Sequence, residues 1–373
     1  MYDYLIVGCG FAGSVLAERL ATQQNKKVLM IERRNHIAGN AFDKEDEHNV
    51  HVHMYGPHIF HTNSHKVWNY LSKFTTWIPY EHRVLAVVDG KRVPVPFNFK
   101  SIDLLFGSAE ASKFKELLVN FYGMGSNIPI LKLLETNEPE LQKLAKYIYD
   151  KVFYGYTVKQ WGLSPKQLDP SVTSRVPVRV DYDDRYFQDT YQAIPRNGYS
   201  TLFKNMISHP NIEIRLNTDY KDILNKVKFE RMIYTGPIDY FFDYKYGRLP
   251  YRSLNFEFSY FEQERFQETA QVNFPNDHPF TRITEFKNIT NQIVKGTTIA
   301  TEFPTEYIEG VNERYYPIPI QSTREIFNKY LADSRAFKGK VFFVGRLAEY
   351  KYFNMDQIVG RSLSLYETEL TEL

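Results

Sequence analysis

Residues 4–17 read Tyr-Leu-Ile-Val-Gly-Cys-Gly-Phe-Ala-Gly-Ser-Val-Leu-Ala, and few folds accommodate such a run. The apolar residues 4–7 read as a buried strand, Gly8-x-Gly10-x-x-Gly13 as a turn, and residues 14–20 as a helix. A second apolar run, Val28-Leu-Met-Ile31, ends in Glu32, roughly 20 positions beyond the glycines. This is the layout of a dinucleotide-binding βαβ unit. Gly8 permits the tight turn out of the strand. Gly10 lets backbone approach a pyrophosphate, and Gly13 lets the helix pack on the sheet. The helix N-terminus offers free N–H groups to the phosphates, and the acid accepts ribose hydroxyls. The motif alone does not choose between NAD and FAD.

The remaining composition narrows the class. A chain of 373 residues suggests about two or three domains. With 43% hydrophobic and 24% charged residues it reads as an ordinary soluble protein with a sizeable core. A formal net charge of +2 gives no electrostatic case for nucleic acid or an anionic membrane as partner. Cys9 is the single cysteine, so no internal disulfide forms, which fits a reducing cytoplasmic compartment. Its place inside the glycine turn calls for a small residue rather than a reactive thiol. The N-terminal apolar run reads as a strand and not a secretory leader, and no run of about 20 apolar residues predicts a membrane span. The 28 tyrosines suggest surfaces that handle sugars or planar rings.

Residues 83–97 read as a β-hairpin around the type I′ dipeptide Asp89-Gly90, with Pro94 and Pro96 marking an edge strand. Residues 100–155 look helical. Leu141, Leu144, Ala145, Ile148 and Val152 follow the helical period, with Asn137 as expected N-cap and Glu138 and Glu140 in the first turn. Residues 165–195 and 250–316 return to short strands. The runs 232–236 and 341–346 each end at a glycine, as the first strand does, and a helix follows over 355–369. A strand ending in Gly345-Arg346 before a helix is a second natural phosphate site. The expected fold is α/β: a discontinuous Rossmann-like nucleotide domain (1–80, 196–245, 320–373) carrying an inserted helical bundle (98–164) and an inserted antiparallel sheet for the substrate (81–97, 165–195, 246–319).

Four side-chain groups could carry chemistry. His48, His51, His53, His58, His61 and His65 tempt a metal reading, and His51 and His53 share one face of a strand. No cysteine, His-Glu-x-x-His motif or carboxylate at matching spacing supports it, so no metal is expected. The turn fixed by Gly56-Pro57 brings His58 and His61 toward the cofactor. Residues 153–162 cluster aromatics around two glycines, and read equally as a packed corner or as a clamp for a planar base. Arg175, Arg179, Arg185, Arg196 and Arg282 are solvated by default, although arginine suits bidentate grip of a diphosphate. No Gly-x-Ser-x-Gly elbow points to a hydrolase.

Seven segments stand out together: residues 4–13, Ile31-Glu-Arg-Arg-Asn-His-Ile-Ala-Gly-Asn40, Tyr55-Gly-Pro-His-Ile-Phe-His-Thr-Asn63, Gly155-Tyr-Thr-Val-Lys-Gln-Trp-Gly162, Tyr234-Thr-Gly-Pro-Ile-Asp239, Tyr315-Tyr-Pro317 and Gly345-Arg-Leu-Ala-Glu-Tyr-Lys-Tyr352. With them the chain resembles, over essentially its whole length, the bacterial UDP-galactopyranose mutases. Many flavoproteins share the first; the Lys-Gln-Trp-Gly segment and the last are far more specific.

The resemblance implies an intramolecular transferase that interconverts UDP-galactopyranose and UDP-galactofuranose on reduced FAD, through a covalent sugar adduct on the flavin N5. It implies a homodimer of three-domain subunits. Residue by residue, it gives Gly8, Gly10, Phe11, Gly13, Glu32 and Arg33 to the ADP end of FAD. Asn40, His58, Ile59, Arg346, Asn354, Met355 and Asp356 approach the pyrophosphate or flavin, and Tyr220 the adenine. Phe153, Tyr156, Thr157 and Trp161 contact the uridine. Arg175 and Arg282 grip the diphosphate, and Tyr186, Tyr316 and Tyr352 donate hydroxyls to it. His82, Asn273 and Glu302 complete the substrate set. Of these, Arg175, Arg282, Tyr316 and Tyr352 are the expected catalytic group, since the nucleophile belongs to the cofactor.

Asn354 and Asp356 depart from the family, in which many members carry aspartate and histidine there; an amide at 354 changes the charge beside the flavin. Ala38 replaces a common glycine. Competing readings are a flavin oxidoreductase of the amine-oxidase type, a non-catalytic NAD-binding module, and a mutase that also accepts UDP-N-acetylgalactosamine.

Overall fold

The computed structural model describes residues 1–169, 176–318 and 320–371. Strand β1 (Tyr2–Val7) runs through the glycine turn into helix α1 (Phe11–Gln24) and then β2 (Val28–Ile31). These start a five-stranded parallel sheet in the order Ile212–Arg215, β2, β1, Phe229–Tyr234, Val341–Phe343. Both faces of the sheet are covered, which is why β2 is apolar at every position. Side chains alternate across β1. Tyr4 and Ile6 pack under α1 and the Met355–Leu365 helix, and Leu5 joins the opposite core with Tyr220, Met232 and Tyr234. Helix α1 starts at Phe11, earlier than the residues suggest, because Gly10 already serves as its N-cap.

The second large sheet has seven strands, in the order Tyr316–Pro317, Tyr251–Phe261, Thr297–Glu306, Arg282–Glu285, Gln271–Asn273, Val84–Val88, Lys91–Val95. The expected hairpin is its edge. Asp89 and Gly90 both have positive φ, +48° and +77°, as a type I′ turn requires. The expectation of a purely antiparallel sheet is corrected at one pair, since Gln271–Asn273 runs parallel to Val84–Val88. Those strands are joined through other parts of the fold, so no tight turn dictates their direction.

Between the hairpin and the Gly155–Trp161 helix lie the helices Phe99–Leu105, Ser108–Tyr122 and Pro139–Ile148. Leu141, Leu144, Ala145, Ile148 and Val152 all fall in one core, as their spacing predicts. The cap is Glu138 and not Asn137: its carboxylate accepts from Leu141 N–H at 2.8 Å. Pro139, with its fixed φ and no N–H, occupies the first helical position and so sets the cap one residue later. The C-terminal helix is regular over Met355–Leu365 and widens over Tyr366–Leu370. Among the described residues no helix is long and apolar enough to cross a membrane.

Candidate active site

One cavity of about 630 Å³ runs from the glycine turn to the seven-stranded sheet. At the first end Gly8 has φ +102°, and a Cβ there would meet Thr235 Oγ1 at 2.1 Å. A Cβ on Gly13 would meet the Gly8 carbonyl at 2.0 Å. Gly10 is different: its nearest neighbour would be Gly39 Cα at 3.9 Å, so its bare face borders the cavity. Glu32 holds the turn itself. Its carboxylate accepts from Cys9 N–H (3.1 Å) and Arg34 N–H (3.0 Å). Cys9 is fully buried and burial pushes its thiol well up, in keeping with a structural residue. The turn, the acid and the open N-terminus of α1 fit a dinucleotide.

The second phosphate-type turn closes the same end. Gly345 (φ +111°) donates its N–H to Glu349 at 2.9 Å. Arg346 donates to the carbonyls of Tyr315 (3.2 Å) and Phe353 (2.8 Å), and its guanidinium lies 4.5 Å from the Tyr352 ring centroid. From there an aromatic line leads inward: Tyr352 stacks on Tyr316 at 5.8 Å, and Tyr316 meets Trp161 at 5.7 Å.

Arg282 forms the inner end. Its Nε and Nη2 donate to Glu302 at 2.8 and 2.6 Å, while Glu302 is 2% exposed and also accepts from Thr281 at 3.2 Å. Burial presses against the guanidinium charge, but Glu302 outweighs it and holds Arg282 above its ordinary value. Burial raises the Tyr156 and Tyr316 hydroxyls, so both remain proton donors at neutral pH. Gly56 touches this wall: a Cβ there would lie 3.2 Å from Phe256 and 3.7 Å from Arg282 Nη2.

The histidines hydrogen-bond one another and the backbone around them. His58 Nδ1 donates to the Gly56 carbonyl at 2.7 Å, and His58 N–H donates to His53 Nδ1 at 3.0 Å. Those two bonds fix the tautomers, with the His53 proton on Nε2 and the His58 acceptor on Nε2. The spacing argument against a carboxylate near the histidines is corrected here. The Asp43–Glu45 and His51–His53 strands pair so that Asp43 faces His53, and Asp43 accepts from His51 at 2.9 Å. Asp43 also accepts from Tyr199 N–H (2.6 Å) and Ser200 N–H (2.7 Å) at the start of the Gly198–Met206 helix. These bonds make the cluster a helix anchor.

Burial lowers His53 to about 3, His58 to about 4 and His82 to about 3. An unfolded histidine titrates near 6.5. The unfolded chain therefore takes up protons that the folded chain refuses, so this contribution is intact above about pH 6.5 and is lost as pH falls from there toward 4. Each such group steepens the loss by up to about 1.4 kcal/mol per pH unit. We expect the melting temperature to fall steadily between pH 6.5 and 4.5, and His82→Gln to flatten that slope. Parallel slopes for the two proteins would refute this account.

Most cofactor residues expected from the sequence border the cavity: Gly8, Gly10, Phe11, Glu32, Arg33, Asn40, His58, Ile59, Tyr220, Arg346, Asn354 and Met355. Gly13 lies beneath the turn. Asp356 lies behind the wall and accepts from Thr62 at 3.0 Å. Of the substrate set, His82, Tyr186, Arg282, Tyr316 and Tyr352 border the cavity. Tyr156, Thr157, Trp161, Asn273 and Glu302 do not line it; Trp161 meets the Tyr316 ring at 5.7 Å, and Asn273 and Glu302 both pair with Arg282. Phe153 is placed differently, inside the core of the helical segment. Arg175 lies outside the described residues. Arg179, read as solvated, is 2% exposed and paired with Asp181 and Asp183. Sequence reasoning missed Tyr55 and Glu313. The Arg34 guanidinium stacks 4.5 Å over Tyr55, and Glu313 bridges Arg33 and Arg34 at 2.7 and 2.9 Å across the cavity mouth. Only the fold brings residues 33–34 and 313 together.

Comparison with known proteins gives the family context. A family model described as UDP-galactopyranose mutase matches residues 151–352, and one described as an NAD(P)-binding Rossmann-like domain matches residues 6–74. A dTDP-fucopyranose mutase of Escherichia coli is 36% identical, covering 97% of this chain and 97% of that protein. A probable UDP-galactopyranose mutase of Klebsiella pneumoniae is 36% identical over 100% of this chain and 95% of its own length. A UDP-galactopyranose mutase of Mycoplasma genitalium is 35% identical over 97% and 93%. In fold, the chain is similar to a reduced UDP-galactopyranose mutase, with TM-score 0.77 at 15% identity over 100% of this chain and 94% of that one. It is also similar to a putative protoporphyrinogen oxidase from Exiguobacterium, with TM-score 0.68 at 12% identity over 99% of both chains.

Proposed function

The chain belongs to the UDP-galactopyranose mutase family, and from that premise we propose that it interconverts UDP-galactopyranose and UDP-galactofuranose with FAD in its reduced form. The observation that carries this reading is one continuous cavity: a dinucleotide turn at one end and a half-buried arginine beside Tyr186 and Tyr316 at the other. When bound, reduced FAD supplies a nucleophilic nitrogen for the anomeric carbon of the sugar. Gly8, Gly10, Phe11, Glu32 and Arg33 would hold its ADP half, with Tyr220 at the adenine. Asn40, His58, Ile59, Arg346, Asn354 and Met355 would hold its pyrophosphate and ring.

The protein's own task is to manage the nucleotide. As the sugar–phosphate bond breaks, the diphosphate gains negative charge. Arg282, kept charged by Glu302, stands ready to stabilise it, with Arg175 assigned the same role. The hydroxyls of Tyr186, Tyr316 and Tyr352 add preorganised donors. Tyr156, Thr157 and Trp161 hold the base. The neutral rings of His58 and His82 add no competing cation to this wall. The same donors retain the diphosphate until the sugar, closed through a different hydroxyl, takes it back.

The proposal carries the domain division given above, with a nucleotide domain of three segments, a helical bundle and a substrate sheet. It also carries a cytoplasmic homodimer; the single buried cysteine suits a reducing compartment. A second reading has its own support, because the Escherichia coli relative named a dTDP-fucopyranose mutase is as similar as the galactose enzymes. The substrate would then be a 6-deoxyhexose of the same ring configuration carried on a thymidine diphosphate, and the diphosphate grip stays the same.

Incubation of UDP-galactofuranose with the yellow, flavin-loaded protein and dithionite should yield UDP-galactopyranose by chromatography, and much less without the reductant. No conversion under reduction sinks the galactose reading. Rearrangement of dTDP-fucopyranose in a parallel reaction would then select the second one.

A further inference from the structure

The hairpin loop between Gln271–Asn273 and Arg282–Glu285 is wrapped around an ammonium group. Nζ of Lys159, on the Gly155–Trp161 helix, donates to the carbonyls of Asn276 (3.1 Å), His278 (3.0 Å) and Phe280 (2.9 Å), and to that of Phe274. Four carbonyls share three N–H groups. The loop also meets the start of this helix and the Tyr149–Tyr154 segment that leads into it. Asn276 Nδ2 donates to the Lys151 carbonyl at 2.9 Å, and Gly155 lacks the Cβ that would stand 2.5 Å from the Pro275 carbonyl. On the other side Arg252 donates to the carbonyls of Gln160 (3.0 Å) and Lys159 (3.1 Å), so the helix is held between two basic side chains.

Both partners of this lock reach the cavity wall: Trp161 meets the lining ring of Tyr316, and the hairpin carries Arg282. The helix carries Tyr156 and Trp161. The loop closes on Arg282, which pairs with Asn273 across the hairpin, and Phe274 N–H donates to the Thr281 carbonyl at 2.8 Å. We propose that Lys159 is a positioning residue for nucleotide recognition: its ammonium locks the helix bearing Tyr156 and Trp161 to the hairpin bearing Arg282, which fixes the distance between the base grip and the diphosphate grip. The inference rests on the reading of the cavity as a nucleoside-diphosphate-sugar site. Backbone carbonyls turned inward need a donor, and without Lys159 the loop must reopen to water to find one. Lys159 does not border the cavity. Its loss therefore weakens contacts that persist from bound substrate to transition state, which is uniform binding and a KM effect.

The test uses flavin-loaded Lys159→Met. KM for UDP-galactofuranose and Kd for UDP should rise about ten- to a hundredfold, with kcat within about threefold of wild type and flavin content unchanged. A second variant guards against misfolding. Lys159→Cys, alkylated with 2-bromoethylamine, regains an ammonium group, and buried Cys9 is the only other thiol. The aminoethylated protein should recover tight UDP binding, whereas iodoacetamide treatment should not restore it. Amide exchange over residues 274–280 should quicken in Lys159→Met with no nucleotide present. Unchanged Kd and KM in Lys159→Met, or no recovery on aminoethylation, overturns the proposal alone. Wild-type protein that binds neither UDP nor dTDP overturns the functional reading and this proposal with it.

Discussion

Replacing Arg282 with methionine should lower kcat/KM for UDP-galactofuranose by about a hundredfold or more, measured under dithionite. The guanidinium is the charged donor at the inner end of the cavity, and Glu302 aims it by taking both Nε and Nη2. A diphosphate leaving group needs such a donor in place before the bond breaks, because solvent cannot reorganise in time inside a closed site. The substitution also removes the partner of a carboxylate that is 2% exposed. An unpaired buried charge of that kind costs about 3–5 kcal/mol, so the single variant should melt well below wild type. Lost stability and lost chemistry must be told apart. The double variant Arg282→Met/Glu302→Gln removes the stranded charge and should regain most of the melting temperature without regaining turnover. If the double variant turns over at a near wild-type rate, Arg282 is a fold element and not a catalytic one.

Gly13→Ala and Gly10→Ala should both yield protein without visible flavin absorbance, for different reasons. At Gly13 the new methyl would lie 2.0 Å from the Gly8 carbonyl and 3.1 Å from Ile6 Cγ2. That backbone cannot yield, since Gly8 N–H is tied to the Ile31 carbonyl at 2.8 Å. The turn itself must distort, and the melting temperature should fall with flavin content. At Gly10 the methyl meets no protein atom closer than 3.9 Å, and φ is −82°, an ordinary value. The fold should be untouched and match flavin-free wild type in thermal unfolding. The methyl instead takes space from the cofactor, an overpacking cost of about 1–3 kcal/mol, which should weaken cofactor binding up to about a hundredfold. A Gly10→Ala protein as yellow as wild type after dialysis would show that the cofactor does not approach this residue.

Much of the nucleotide end was legible because its constraints are local. A glycine whose Cβ would strike the next turn is required by chain geometry within a few residues, and spacing records it. The hairpin at Asp89-Gly90 and the helical period through Ile148 belong to the same class. Local reading slipped where two local rules competed, as when Pro139 moved the helix cap from Asn137 to Glu138. It also failed where pairing joined distant strands. The parallel pairing of Gln271–Asn273 with Val84–Val88 has no turn to announce it.

The sequence by itself therefore determined that a dinucleotide turn begins this chain, that apolar strands surround it, and that arginines and tyrosines were available to meet a diphosphate. Only the tertiary structure decided which of them face the cavity. Arg179 became a buried structural ion pair, while Arg282 was turned into the cavity by Glu302. Asp43 was brought to His51 by strand register, and Lys159 was caged by a loop more than a hundred residues away. The physical reason is that a charged side chain has no preferred neighbour until water is removed from it. Its partner is then whichever group the packing of distant apolar faces leaves within reach, and short-range spacing does not encode that.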